Sequence, residues 1–417
     1  MPDPIVPLDE LRRIEAADVY KGDRLAGRLA RDGDAVVFSY RREYLADPDA
    51  PAVAWSLPRD SEPVRTPAGA VPPFFAGLLP EGVRLRAVVL GTRTSEDDHL
   101  TLLIAVGADT IGDVRVFPAG HAPFDPPVTL TEDDIAAVDL REVFARAVSP
   151  SSVDMERVAL PGVQEKVSAA MVSAPLVTTT GPAILKLQPD RDFPRLVDNE
   201  HFCLSMAAEC GLAVPEHRLV VDRAGHRGLL VSRFDRVVGP GSRQRLAQED
   251  GCQLLGSYPA AKYRLKTEQI ARAIAEAAES GSGSGLAALR RVMQLVVFSY
   301  AIGNGDLHAK NFSARLSPSD EWEASPAYDL VSTQPYLGWR DPMALDFFER
   351  ANRLNRRHLV ESGVRLGLPA RAVNGIIDQV TGRAAPWLDR VDRIGLPERQ
   401  TELLREFLSR RIAELAA

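Results

Sequence analysis

The sequence predicts an α+β protein of two lobes, preceded by an additional small α+β subdomain. Three observations carry that prediction. Residues 1–120 mix short apolar strands with two short helical stretches. Residues 121–237 place strand pairs on either side of a helix, with one lysine inside a strand. Residues 238–417 read as mostly helical around a single polar loop. At 417 residues the chain is too long for one average core, so two or three domains are expected. A composition of 45% hydrophobic and 26% charged residues is ordinary for a globular protein.

The N-terminal subdomain opens with a hairpin. Leu25 to Leu29 and Val36 to Tyr40 flank Arg31-Asp32-Gly33-Asp34, a turn sequence. A proline-rich loop runs from Pro58 to Pro73, and Phe74-Phe75-Ala76-Gly77-Leu78-Leu79-Pro80-Glu81-Gly82 opens a helical stretch. Asp97 to Gly107 is a second short helix and Asp113 to Pro118 a strand. Residues 119–127 form a proline-rich linker.

In the middle unit, Val167 to Val172 and Ala183 to Leu187 are strands around a threonine-rich turn. Asp198 to Cys210 is a helix, with Asp198 as N-cap and Gly211 as its stop. Leu219 to Val221 and Gly228 to Val231 form a hairpin. In the last unit, Ser280 to Gly285 alternates serine and glycine and reads as a flexible connection. Leu286 to Ile302 is a strongly apolar helix that delivers the chain to the polar loop. The arginines of the last hundred residues read most simply as solvated helix faces.

Charge and cysteine usage narrow the function classes. A net charge of -7 and a pI near 5.7 disfavour a broad nucleic-acid-binding face. Cys203, Cys210 and Cys252 lack metal-ligand spacing and read as free thiols in a reducing cytoplasm. The N-terminus has no basic-then-apolar leader, and no uncharged apolar run reaches the ~18 residues of a membrane helix.

The polar loop is Gly305-Asp306-Leu307-His308-Ala309-Lys310-Asn311, followed by Tyr328-Asp329. An Asp, an Asn five residues on, and a second Asp 18 residues later match the needs of phosphoryl transfer. One carboxylate orients the attacking hydroxyl, while an amide and another carboxylate hold Mg²⁺. Asp306, Asn311 and Asp329 fit those roles in that order. Lys186 sits in the apolar run Ala183-Ile184-Leu185-Lys186-Leu187, where burial is costly without an anion. Nucleotide phosphates and Glu200 on the next helix would supply one. The bland alternative is a lysine snorkelling from an edge strand. Leu160-Pro161-Gly162-Val163-Gln164-Glu165-Lys166 stands where a phosphate-covering loop belongs. With one glycine it matches neither G-x-G-x-x-G nor the Walker A pattern, and alone it would be an ordinary turn. Ser232-Arg233-Phe234 follows a hairpin strand, where a hinge between lobes would meet the adenine. His308 could touch nucleotide or brace the loop. A zinc role lacks a suitably spaced partner, and no G-x-S-x-G elbow supports a hydrolase.

Taken together, Pro161 to Lys166, Ile184 to Leu187, Arg233 to Arg236, Gly305 to Ser313 and Tyr328 to Ser332 resemble the HipA-type toxin kinases. Phe74 to Gly82 is similar to that family's N-terminal subdomain. The resemblance implies a two-lobed protein-kinase-like fold and a serine/threonine kinase that uses ATP and Mg²⁺. It also implies a toxin role beside a helix-turn-helix antitoxin, with DNA contacted only through that partner. A translation component such as an aminoacyl-tRNA synthetase is the implied substrate. Under it, Pro161, Gly162, Val163, Gln164, Glu165 and Lys166 cover the phosphates and Lys186 binds them. Ser232, Arg233 and Phe234 form the adenine hinge. Asp306 is catalytic; His308, Ala309, Lys310, Asn311, Tyr328 and Asp329 contact nucleotide, the Asn311 and Asp329 side chains holding metal. One departure stands out: the family's autophosphorylated serine corresponds to Ala159 here. Three explanations fit: the switch is naturally absent, it is relocated to a hydroxyl such as Ser149, Ser151 or Ser152, or the alanine is an engineered substitution that traps the active form. Two other readings compete. A small-molecule kinase of the aminoglycoside or choline type shares the G-D-L-H-x-x-N loop but lacks the Gln164-Glu165-Lys166 segment and the extra subdomain. A catalytically silent corepressor is the other.

Overall fold

The computed structural model describes residues 6–126, 130–147, 149, 171–189, 193–239 and 242–417. The N-terminal subdomain is organised by an antiparallel sheet in the order β4-β3-β2-β1-β5. Its strands are β1 (Ala16–Lys21), β2 (Arg24–Asp32), β3 (Ala35–Tyr40), β4 (Val64–Thr66) and β5 (Val114–Pro118). β1, whose Ala17 and Val19 are fully buried, is an element that the sequence reading passed over. Phe38, Phe75, Leu100, Leu103 and Val116 build a core of its own between this sheet and the helices Gly82–Thr92 and His99–Val106. Asp98 caps the second helix by accepting the Thr101 N–H at 3.3 Å.

The middle unit is a four-stranded antiparallel sheet in the order β6-β7-β9-β8: β6 (Val172–Thr178), β7 (Gly181–Leu187), β8 (His217–Val221) and β9 (Arg227–Ser232). The first of these differs from the expected Val167–Val172 strand. It begins at Val172, because Val172, Ala174 and Leu176 alternate inward along β6, the last two beside Leu185 and Leu187. Residues 167–170 lie outside the described residues. The helix after β7 runs Leu196–Glu209, starting two residues before the expected Asp198 cap. Arg195, in a left-handed conformation, takes the cap position. Asp198 is buried in the first turn, paired with Arg227, where its charge also meets the positive end of the helix.

Beyond β9 the chain forms the β10 (Arg236–Gly239) and β11 (Ser242–Arg245) hairpin and a small sheet of β12 (Gln248–Asp250), β13 (Ser313–Leu316) and β14 (Trp322–Ala324). The rest is largely helical: Thr267–Ser280, Gly285–Ile302, Arg356–Arg365, Ala370–Ala384 and Glu398–Ala416. The Gly285–Ile302 helix is long and apolar enough to cross a membrane, but 78% of it is buried inside the protein as a core helix. The serine–glycine connection before it is a packed turn. A Cβ on Gly281 would fall 2.2 Å from the Trp322 ring, and one on Gly283 2.0 Å from the Trp322 carbonyl oxygen. The glycines are there for close approach. Among the C-terminal arginines, Arg411 is an exception to the solvated-face reading. It is buried, stacks over the Tyr300 ring at 4.2 Å and donates to Asn352 Oδ1 at 2.8 Å.

Polar contacts fasten the N-terminal subdomain to the rest. Asp109 pairs with Arg233 at 2.8 Å, Arg236 at 2.7 Å and Arg245 at 2.6 Å. The Trp55 N–H donates to Glu249 Oε1 at 2.7 Å, Gln253 Nε2 to the Phe74 carbonyl at 2.9 Å, and Lys262 Nζ to Glu81 Oε2 at 2.5 Å.

Candidate functional site

Strand alternation places the lysine. Along β7, Ala183, Leu185 and Leu187 pack into the core beneath the Leu140–Ala147 helix. Ile184 and Lys186 therefore project from the opposite face, into a cleft between the lobes. The cleft holds about 1360 Å³ of space between the atoms, open solvent at its mouth included. Lys186 Nζ donates to Glu200 Oε1 at 2.6 Å and also pairs with Asp329. Burial alone would discharge the lysine, but Asp329 and Glu200 outweigh it and push its pKa up. Burial pushes the Glu200 carboxyl up despite Lys186, with the Asp329 charge adding to the rise.

The polar loop is built by its neighbours. The Gly285–Ile302 helix stops at Gly303, in the left-handed region at φ 68. Asn304 Oδ1 accepts the Asp306 N–H at 3.0 Å and Thr333 Oγ1 the Gly305 N–H at 3.0 Å. Gly305 has no room for a side chain: a Cβ would sit 1.8 Å from Asp341 Oδ2. A 3-10 turn, Ala309–Asn311, follows. Asn311 Nδ2 donates to the Asp306 carbonyl at 3.0 Å, which turns the amide back under the aspartate. Tyr328 O–H donates to the Lys310 carbonyl at 2.7 Å, tying the second motif to the first. Asp329 holds φ 52, a left-handed conformation uncommon outside glycine and concentrated at functional sites.

The cleft brings together most of the residues singled out from sequence. Lys186, Glu200, Ser232, Arg233, Phe234, Asp306, His308, Lys310, Asn311, Tyr328 and Asp329 all line it. Ala309 is fully buried below it, its N–H on the Lys262 carbonyl at 3.1 Å, and is not among the lining residues. Two of the basic residues are engaged elsewhere. The Arg233 guanidinium bonds Asp235, Asp109 and the Thr110 carbonyl, so it braces the hinge from behind. Lys310 Nζ is held by Asp250 at 3.0 Å and the Gly77 carbonyl at 3.1 Å. At the hinge, the Ser232 N–H donates to the Glu216 carbonyl, the Arg233 N–H to the Pro182 carbonyl, and Arg315 to the Phe234 carbonyl. The Phe234 ring lies 5.7 Å from that of Tyr328. Ala159, Pro161, Gly162, Val163, Gln164, Glu165, Lys166, Ser151 and Ser152 lie outside the described residues.

Among the lining residues that were not assigned a role from the sequence are Glu81, Asp250, Lys262 and Tyr263. Glu81 comes from the N-terminal subdomain, which thus supplies one wall. No motif marks Lys262-Tyr263; its nearest signal is a charged and aromatic pair after Pro259. Asn311 and Asp329 are the side chains that could hold a divalent cation here. The lining residues include six carboxylates, Glu81, Glu200, Asp235, Asp250, Asp306 and Asp329, against four basic side chains. A polyphosphate entering such a lining needs added positive charge.

A two-lobed, protein-kinase-like α+β protein with an added N-terminal domain is the class this fold and cleft define. Residues 158–388 match the HipA-like C-terminal domain and residues 17–117 the HipA N-terminal domain. The chain belongs to the HipA-like family. Its relatives carry kinase names. The Sinorhizobium fredii protein with the kinase name Y4dM is 30% identical over 341 residues, 75% of each chain. The serine/threonine-protein kinase toxin HipA of Shewanella oneidensis is 26% identical over 395 residues, covering 88% of this chain and 87% of that one. A solved structure of Shewanella oneidensis HipA with HipB and its operator DNA has the same fold. It gives a TM-score of 0.72 at 21% identity, over 95% of this chain and 96% of that one.

Proposed function

We propose that this protein is an ATP- and Mg²⁺-dependent serine/threonine protein kinase, acting in the cytoplasm as the toxin of a toxin–antitoxin pair. The observation that carries the reading is one cleft holding the Lys186–Glu200–Asp329 cluster beside the Asp306–Asn311 loop. Lys186 would bind the nucleotide phosphates, with Glu200 fixing its position. Asp329 and Asn311 would hold Mg²⁺, which when bound neutralises charge on the phosphates. Asp306 would orient the acceptor hydroxyl and take its proton. Ser232 and Phe234 would flank the adenine.

A translation component such as an aminoacyl-tRNA synthetase is the proposed substrate. A helix-turn-helix antitoxin is the proposed partner, and DNA would be met through it. The net charge of -7 supports indirect rather than direct DNA contact. Incubating the protein with labelled ATP, Mg²⁺ and a cell lysate tests the reading. Labelled protein is the expected result. Labelled small molecules would favour a metabolite kinase, and no label at all a silent corepressor.

A further inference from the structure

We infer that Tyr263 is a positioning residue for the catalytic carboxylate, holding Asp306 Oδ1 so that Oδ2 meets the acceptor hydroxyl. The inference rests on the kinase reading and goes beyond it. Tyr263 O–H donates to Asp306 Oδ1 at 2.8 Å, and Asp306 is 1% exposed. The Tyr263 ring stands edge-on to His308, centroids 5.2 Å apart at 79°. Its own segment is anchored from two sides. Lys262 Nζ is fixed by Glu81 at 2.5 Å, and the Lys262 carbonyl accepts the Ala309 N–H at 3.1 Å. The tyrosine therefore reaches the loop from a rigid support, which a fixed carboxylate orientation requires.

The chemistry divides the two oxygens. An acceptor oxygen lone pair forms the new bond to the γ-phosphorus. The bond from that phosphorus to the β–γ bridging oxygen breaks, and its electron pair leaves with ADP. The acceptor proton passes to Asp306 Oδ2. Tyr263 keeps its own proton: burial, with the Asp306 charge next, pushes the phenol pKa up, so it stays a donor.

The test uses Mg·ATP hydrolysis with water as acceptor, which needs no knowledge of the protein substrate. Tyr263→Phe keeps the ring and removes the donor. The expected result is a kcat lower by about ten- to a hundredfold, as loss of a charge-assisted hydrogen bond implies, with KM for ATP unchanged. In an Asp306→Asn background the same change should cost nothing further. Wild-type kcat, a KM for ATP that rises as kcat falls, or an equal fall in the Asp306→Asn background, overturns the inference. Failure of the native protein to bind or hydrolyse Mg·ATP overturns the kinase reading itself, and this assignment with it.

Discussion

Glu81 and Lys262 are 181 residues apart in sequence and 2.5 Å apart in space, across the boundary between the N-terminal subdomain and the helical lobe. Their side chains are only 14% and 4% exposed, and the other Glu81 oxygen lies 3.6 Å from Lys310 Nζ. Glu81→Ala leaves Lys262 without its carboxylate and Lys310 with Asp250 alone. Removing one partner of a buried pair costs about 3 kcal/mol or more. The expected outcome is a lowered urea midpoint together with a fall in phosphate transfer, since Lys262 neighbours Tyr263.

Asp306 and Asp329 should separate chemistry from binding. Asp306→Ala is expected to lower transfer by at least about a hundredfold, the scale of a lost positioning base, while Mg·ATP affinity holds. Asp329→Ala should instead weaken Mg·ATP binding. Calorimetric titration beside a transfer assay reads both. Unchanged turnover in Asp306→Ala would remove the kinase reading.

Lys186→Met leaves Glu200 buried without its cation. The expected outcome is loss of most activity and a lower melting temperature. Glu200→Ala should lose less activity, because Asp329 still partners the lysine. Normal turnover in Lys186→Met would place the phosphates elsewhere.

Glu249 gives the pH dependence a sign. It is buried at the junction with the N-terminal subdomain, and burial pushes its pKa up to about 7 against the stabilising Trp55 N–H. The folded value lies above the unfolded one. Its contribution to stability is therefore fully present below about pH 4.5 and lost as pH rises through 7. Glu249→Gln keeps an acceptor for the Trp55 N–H and removes the titration. It should be more stable than wild type by a few kcal/mol at pH 8, as a shift of about 2.5 units implies, and no more stable at pH 4.5. Melting temperatures across that range decide it.

The parts of the cleft that could be read in sequence are those whose chemistry is local. Asp306 and Asn311 lie in one loop, and a lysine within an apolar strand stands out wherever it occurs. The hairpin marked by Gly33 and the Gly211 helix stop were legible for the same reason: each rests on neighbours in the chain. Glu81, Asp250, Lys262 and Tyr263 were not. Each is an ordinary residue in an ordinary local setting, and only tertiary packing gathers them. Asp198 looked like a cap because caps are judged by residue type. Its pairing with Arg227, 29 residues away, put it inside the helix instead. The serine–glycine stretch looked loose because its composition usually is, until Trp322 is packed against it.

The carboxylate of Asp109 has three guanidinium groups around it, all from the far side of the linker. An isolated catalytic half would carry those cations, one of them behind the hinge, with Asp235 but not Asp109 to pair them, and would lack the Glu81 wall. Dissecting the chain at the linker should therefore yield two pieces that must be recombined to regain activity. Fragment complementation, rather than deletion, is the way to map what the first 120 residues do.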